Sequence, residues 1–146
     1  MLSLEIITPE KNVYTGTAQE VILPTQDGIL GIRTGHQPLI APLRAGEVIV
    51  RNQNQEDQYL AVAGGFVEVL PESIHILADS AVHSEELDEQ AITEAIARAE
   101  QLKLESQDDY HLTEASALLE MNLARLKVFQ RKRRHGSKPT SPPSSN

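Results

Sequence analysis

The sequence predicts an α+β fold: an N-terminal antiparallel β-sandwich, then a C-terminal antiparallel two-helix hairpin and a disordered tail. Three observations carry this. Up to residue 84, short apolar and β-branched runs alternate with period two and are cut by turn signals about every six to twelve residues. At Ser84-Glu85-Glu86-Leu87-Asp88, a stretch acidic and rich in capping residues, the period changes to about 3.6. Beyond residue 134 the chain is serine- and proline-rich with no apolar anchor. The expected units are residues 1–84, 85–134 and 135–146.

Leu2-Ser3-Leu4-Glu5-Ile6 alternates apolar and polar and reads as a half-buried strand, broken by Thr8 to Asn12. Val13-Tyr14-Thr15 and Ala18 to Leu23 are the next strand material, with Gly16 expected as a bulge or bend. Leu23 to Leu39 is dense in breakers: Asp27-Gly28 turns the chain back, Gly31 and Gly35 bend the returning segment, and Pro24 and Pro38 belong at strand ends or sheet edges. Ile29-Leu30-Gly31-Ile32 is thereby left as a short apolar arm near the surface, either a partner contact or a tightly turned corner of the core. Leu39 to Leu43 and Glu47 to Arg51, joined by Arg44-Ala45-Gly46, are expected to form a hairpin. Gln58 to Ala63 leads into Gly64-Gly65, where another backbone or a sharp twist can approach closely. Phe66 to Leu70 then resumes the strand, and Ile74 to Ala78 returns antiparallel.

Asp88 is placed to cap the first helix, whose apolar stripe is Ala91, Ile92, Ala95, Ile96, Ala99 and Leu102. Ser106-Gln107-Asp108-Asp109 ends it, and a second helix follows with Leu112, Ala115, Leu118, Leu119, Leu123, Leu126 and Phe129 as its apolar face. The short loop pairs the helices as a hairpin. An alanine-leucine seam buries little area, so the grip of this hairpin on the sandwich is either releasable at low free-energy cost or permanent.

At 146 residues, with 40% apolar and 23% charged content, the chain suits one modest core plus an appendage. It has no cysteine, which excludes disulfides and thiolate metal sites. Apolar runs such as Val21-Ile22-Leu23 are far too short to span a bilayer, and no cationic leader precedes Glu5, so a soluble, cytoplasmic protein is expected. The net charge of -8 argues against general nucleic-acid binding. That charge is segregated: Glu85 to Glu120 is acidic apart from Arg98 and Lys103, whereas Arg125, Lys127, Arg131, Lys132, Arg133 and Arg134 follow with no acid after them. The basic run has three readings: a solvated helix end complementing the helix dipole, a nucleic-acid or membrane-surface patch, or a contact for an acidic protein. Five histidines lack metal-ligand spacing, and no phosphate loop, serine elbow or nucleophile accompanies His36. No metal, cofactor or catalytic residue is expected.

Two motifs carry a resemblance. Leu-Pro-x-x-x-Gly-x-x-Gly-Ile-x-x-Gly-His-x-Pro-Leu, from Leu23 to Leu39, is similar to the N-terminal signature of the epsilon subunit of F-type ATP synthases. Ala61-Val62-Ala63-Gly64-Gly65-Phe66-Val67-Glu68-Val69 with Ile76-Leu77-Ala78-Asp79 resembles the Gly-Gly strand pair of the same family, and the likeness runs from Leu2 to about Arg134. The resemblance implies a non-catalytic central-stalk subunit, peripheral on the cytoplasmic face of an energy-transducing membrane. Its implied partners are the gamma subunit, the c subunits of the rotor ring and the alpha/beta catalytic hexamer, with proton or sodium flow coupled to rotation. Carried onto this chain, the rotor-ring contact matches Gly28, Ile29, Leu30, Gly31 and Ile32, and the gamma contact matches His36, Gln37, Pro38 and Leu39. Inhibitory contacts with the beta subunit fall to Arg125, Lys127, Arg131, Lys132, Arg133 and Arg134, through a hairpin that extends along the stalk.

Two departures matter. Ile29 stands where some members carry an acid, so contact there is apolar packing. Leu87-Asp88-Glu89-Gln90-Ala91-Ile92 lacks the arginine of members that bind ATP between the helices, so weak or absent nucleotide binding is expected. Without the resemblance, a stand-alone β-sandwich adaptor or ligand-binding module stays open, and a small hydrolase using His36 more distantly so.

Overall fold

The computed structural model describes residues 1–136. In chain order these form β1 (Leu2–Ile7), β2 (Asn12–Ala18), β3 (Glu20–Thr25), β4 (Gly28–Arg33), β5 (Leu39–Pro42), β6 (Gly46–Arg51), β7 (Gln58–Val69) and β8 (Ser73–His83). A 3-10 turn at Ser84–Glu86 leads to α1 (Glu89–Glu105) and α2 (Asp109–Gly136). The strand order is β2-β1-β8-β7-β6-β3-β4, with β5 also on β7. Pairing is antiparallel throughout except for β1 with β8, which is parallel.

β7 and β8 are long enough to serve both layers of the sandwich. Residues Phe66 to Val69 of β7 pair with β5, while the facing part of β8 carries β1 and, beyond it, β2. Residues Gln58 to Val62 pair instead with β6, which leads to β3 and β4. The corner between the two layers is Gly64-Gly65, with φ of 72° and 104°. A Cβ on Gly64 would overlap the Asp79 carboxylate and one on Gly65 the Leu77 carbonyl, so only glycine lets the strand fold over here. Strand alternation then fills the interior: Leu2, Leu4 and Ile6 of β1 and Val67 and Val69 of β7 meet Val21, Leu23, Val48, Val50 and Leu60 from the opposite layer.

Two strand expectations are corrected. β5 and β6 do not form a hairpin, because both lie end to end along one edge of β7, and Arg44 and Ala45 cross the corner between them. The Leu43 N–H donates to the Gly65 carbonyl at that crossing, 2.8 Å away. Gly16 lies inside an unbroken β2, and the irregularity in this pair falls between Ile6 and Ile7 instead.

Near residue 84, where the sequence changes period, β8 ends at His83 and the 3-10 turn at Ser84–Glu86 leads into the helices. Asp88 occupies the N-cap position of α1 but makes no side-chain capping bond, whereas the Asp108 carboxylate accepts the His111 N–H at 2.8 Å at the start of α2. α1 packs on α2, and α2 packs on β6, β7 and the 3-10 turn. The expected apolar face of α2 is only partly the buried one. Ala115 is buried and Leu119, Leu126 and Phe129 are half-buried, but Leu112, Leu118 and Leu123 are 40%, 38% and 47% exposed, while Asn122, Ala124 and Val128, outside the expected face, are buried. Of these, Val128 packs on the sheet, whereas α1 covers another side of α2. On α1, Ile92 and Ala99 are buried as expected, but Ala91 and Leu102 at the ends of the stripe are exposed. α2 continues through Gly136, and the remainder of the expected tail lies outside the described residues.

Candidate functional site

The arm matched to a rotor contact is the β3–β4 hairpin, and β4 is the last strand in the sheet order, so its outer edge is open. Thr25 Oγ1 donates to the Gly28 carbonyl at 2.6 Å, and the Gln26 N–H donates to the Pro42 carbonyl at 3.0 Å, which ties the turn down. Gly28 sits at φ 130°, a conformation that L side chains rarely adopt. Pro24 fits inside β3 because its carbonyl accepts the Arg44 N–H and so points away from β4; its missing N–H faces the same way. Ile29 is 76% exposed, whereas Leu30 is half-buried and Ile32 is fully buried. Ile32 is thus a correction to the surface set: its side chain anchors the arm in the sandwich core and presents nothing outward.

The segment matched to a gamma contact is the loop that carries the chain from β4 to β5. The Gly35 N–H donates to the Pro71 carbonyl at 2.7 Å, and His36 Nδ1 donates to the Gln37 carbonyl at 2.8 Å. His36 is half-buried, Gln37 and Pro38 are exposed, and Leu39 packs against the core. Beside this loop the outer face of the first layer carries apolar side chains that sequence reasoning missed. Phe66 and Leu77, each 57% exposed, face one another across β7 and β8, with Pro42 and Ile7 opposite them on the flanking strands, and Ile40 is 71% exposed nearby. The signal was present: period-two alternation puts Phe66 on the same face as Glu68, and Leu77 on that of His75, so both are apolar residues on a solvent-side row.

The basic residues of α2 are distributed differently from a simple exposed patch. Arg125 is half-buried and its Nη2 donates to Ser80 Oγ of β8 at 3.0 Å; burial lowers its pKa from the ordinary guanidinium value. Arg131 Nε and Nη2 donate to the two oxygens of Glu47 at 2.5 and 2.7 Å, and its guanidinium carbon lies 5.4 Å from the Tyr59 ring centroid. The hydrogen bonds to Glu47 raise the Arg131 pKa above its ordinary value. Lys127 is exposed, and Lys132, Arg133 and Arg134 continue α2 towards its end. Below them Val128 packs on Ile49, Tyr59 and Ala61, the outward side chains of β6 and β7. Towards the helix-loop end the hairpin stands away from the sandwich, leaving a cleft of about 1090 Å³ lined by Asp79, Glu105, Asp108, Glu114 and Glu120 with Arg44 and His111. Among the described residues no group of His, Asp and Glu gathers as a metal site, and no helix is long and apolar enough to cross a membrane.

Residues 1–84 match the family model described as ATP synthase, Delta/Epsilon chain, beta-sandwich domain. The ATP synthase epsilon chain 2 of Ralstonia nicotianae is 39% identical over 134 residues, covering 92% of this chain and 96% of that one. The ATP synthase epsilon chain of Moorella thermoacetica is 43% identical over 127 residues, covering 87% and 95%. In fold, a chain of the Euglena gracilis mitochondrial ATP synthase, solved with OSCP, F1 and the c-ring, superimposes with a TM-score of 0.74 at 20% identity, covering 86% of this chain and 79% of that one. A chain of the Tetrahymena thermophila central stalk and c-ring does so at 0.58 and 16% identity, covering 88% and 96%. With the family model matched over the sandwich and epsilon chains matched over 92% and 87% of the sequence, this chain belongs to the ATP synthase delta/epsilon family, as a non-catalytic epsilon chain.

Proposed function

We propose that this chain couples ion flow to rotation as a central-stalk subunit and restrains ATP hydrolysis through its C-terminal hairpin, on the cytoplasmic face of the membrane. The β3–β4 arm, through Gly28, Ile29, Leu30 and Gly31, touches the rotor ring. The loop from His36 to Leu39, with the neighbouring row of Ile40, Phe66 and Leu77, binds the gamma subunit. The observation that carries the braking role is the attachment of α2: a small apolar contact at Val128, and a set of arginines held by side-chain contacts that exist only while the hairpin is docked. A helix so attached can leave; Arg125 and Arg131 are then freed to join Lys127 and Lys132 to Arg134 in contacts with acidic segments of the beta subunit. Leu112, Leu118 and Leu123 support the same reading, since part of their apolar surface stays uncovered in the docked state.

The test is reconstitution of the catalytic complex with the full chain and with a form ending at Ser84, whose core cluster contains no helix residue. Binding to gamma by both forms, with hydrolysis slowed by the full chain alone, is the expected result. If neither form binds, the stalk role falls; if both bind and neither slows hydrolysis, the brake falls and the coupling role stands.

A further inference from the structure

The contact between α2 and the sandwich contains one polar interaction out of character with its small apolar surroundings. Alternation along β6 sends Val48 and Val50 into the sandwich core and leaves Glu47 and Ile49 facing the other way, under α2. The Glu47 side chain is only 6% exposed. A carboxylate this dry requires a partner that neutralises it and fills its lone pairs. Arg131 does both through two parallel N–H donors, a geometry that the single ammonium of lysine does not reproduce. The same guanidinium lies over the face of Tyr59, so the cation is held from two sides. Glu47 and Arg131 are 84 positions apart. Their pairing therefore exists only when the hairpin is down, and it sits one helical turn from Val128, the one fully buried apolar side chain of that contact.

We propose that Glu47 is the latch of the hairpin: it holds Arg131 in the docked state and so makes docking and engagement of Arg131 by an outside acidic surface mutually exclusive. This rests on the braking role proposed above and supplies its regulation. An acidic partner competes with Glu47 for one guanidinium, so the strength of the latch sets how readily the brake is applied. Arg125 has no such rival, because its partner Ser80 is neutral. Lys127 is exposed already. Control is concentrated in one ion pair.

The full chain supplies its own blank for the test, since it has no cysteine. Ala61→Cys places a single thiol beneath Val128, at a position 2% exposed, where a thiol reagent reacts only when the hairpin lifts. In that background Glu47→Gln is expected to speed labelling about tenfold, Arg131→Gln to a similar degree, and the double variant no further, because both changes remove the same interaction. Labelling within twofold of the parent in both single variants, or singles whose effects multiply in the double, would overturn the latch. A melting transition of the sandwich unchanged from the parent confirms that each variant is folded. In the reconstituted complex, Glu47→Gln is expected to slow ATP hydrolysis more strongly than the parent chain, and Arg131→Gln less strongly than Glu47→Gln. Equal inhibition by Glu47→Gln and Arg131→Gln would overturn the exclusivity. Faster labelling with no inhibition by any form, the parent included, would retire the braking role while leaving Glu47 as the residue that holds the hairpin down.

Discussion

Val128→Ala isolates the apolar half of hairpin docking. Val128 is fully buried, and its neighbours Ile49, Tyr59 and Ala61 belong to a cluster separate from the sandwich core. The substitution removes two methyl groups, about 1.6 kcal/mol at roughly 0.8 kcal/mol each. Incomplete collapse of the cavity brings the loss to about 2 kcal/mol. Because the cluster bridges α2 and the sheet, the loss falls on the docked hairpin and not on the sandwich. Two kcal/mol corresponds to about a thirtyfold larger lifted fraction. With the Ala61→Cys reporter, thiol labelling should accelerate by that factor while the melting of the sandwich stays unchanged. Labelling that does not accelerate, or a loss of sandwich stability of the same size, would refute the view that docking and sandwich folding are separable.

Gly65→Ala should destabilise the sandwich by at least about 3 kcal/mol in denaturant unfolding, since the new Cβ meets the Leu77 carbonyl and φ of 104° is strained for any L side chain; a change below about 1 kcal/mol would remove the corner argument. Ile29→Ser should leave stability within about 0.5 kcal/mol, because the side chain is 76% exposed, yet weaken binding to the rotor ring about tenfold; unchanged binding would take the contact away from this arm. His111 and Asp108 meet at the start of α2 with Nδ1 2.8 Å from Oδ2. Hydrogen bonding to Asp108 raises the His111 pKa, and the His111 backbone N–H, then its ring, lower that of Asp108. The His111 contribution is therefore complete below the ordinary imidazole pKa and lost as pH rises through the raised value; that of Asp108 is complete above the ordinary carboxylate pKa and lost as pH falls through the lowered one. An NMR titration should show the His111 midpoint falling in Asp108→Asn, and a midpoint that does not move would contradict the pairing.

The strands were readable wherever local chemistry decides local structure. Alternation in Leu2 to Ile6 placed β1 and its inward residues, and Asp27-Gly28 placed the β3–β4 turn, because a period of two and a positive φ are properties of a few neighbouring residues. Pairing partners were another matter. A short connection such as Arg44-Ala45-Gly46 resembles a hairpin loop, but β5 and β6 are both claimed by β7, whose length and glycine corner give it edge to offer on each layer. Nothing within residues 39–51 records that competition. The parallel register of β1 on β8 is equally invisible from either strand alone.

The helices show a second reason for misreading. A hydrophobic stripe identifies a buried face only when a helix has one environment, and α2 shows leucines at 112, 118 and 123 to solvent while burying alanines, Asn122 and Val128. Asn122 places one amide N–H within its own helix by donating to the Leu118 carbonyl at 2.8 Å, which lowers the cost of its burial. The sheet contact of α2 runs through Val128, and Leu112, Leu118 and Leu123 keep part of their apolar surface outside the docked contacts. The same division applies to charge: Arg131 looked in sequence like one member of an exposed basic run, but a buried Glu47 on β6, indistinguishable in sequence from any other strand acid, makes it the residue that closes the fold. A helix that meets the sheet through one small apolar cluster and one ion pair, and leaves part of its apolar surface uncovered, has a small docking free energy. That property lets a single ion pair weigh heavily in where the helix resides.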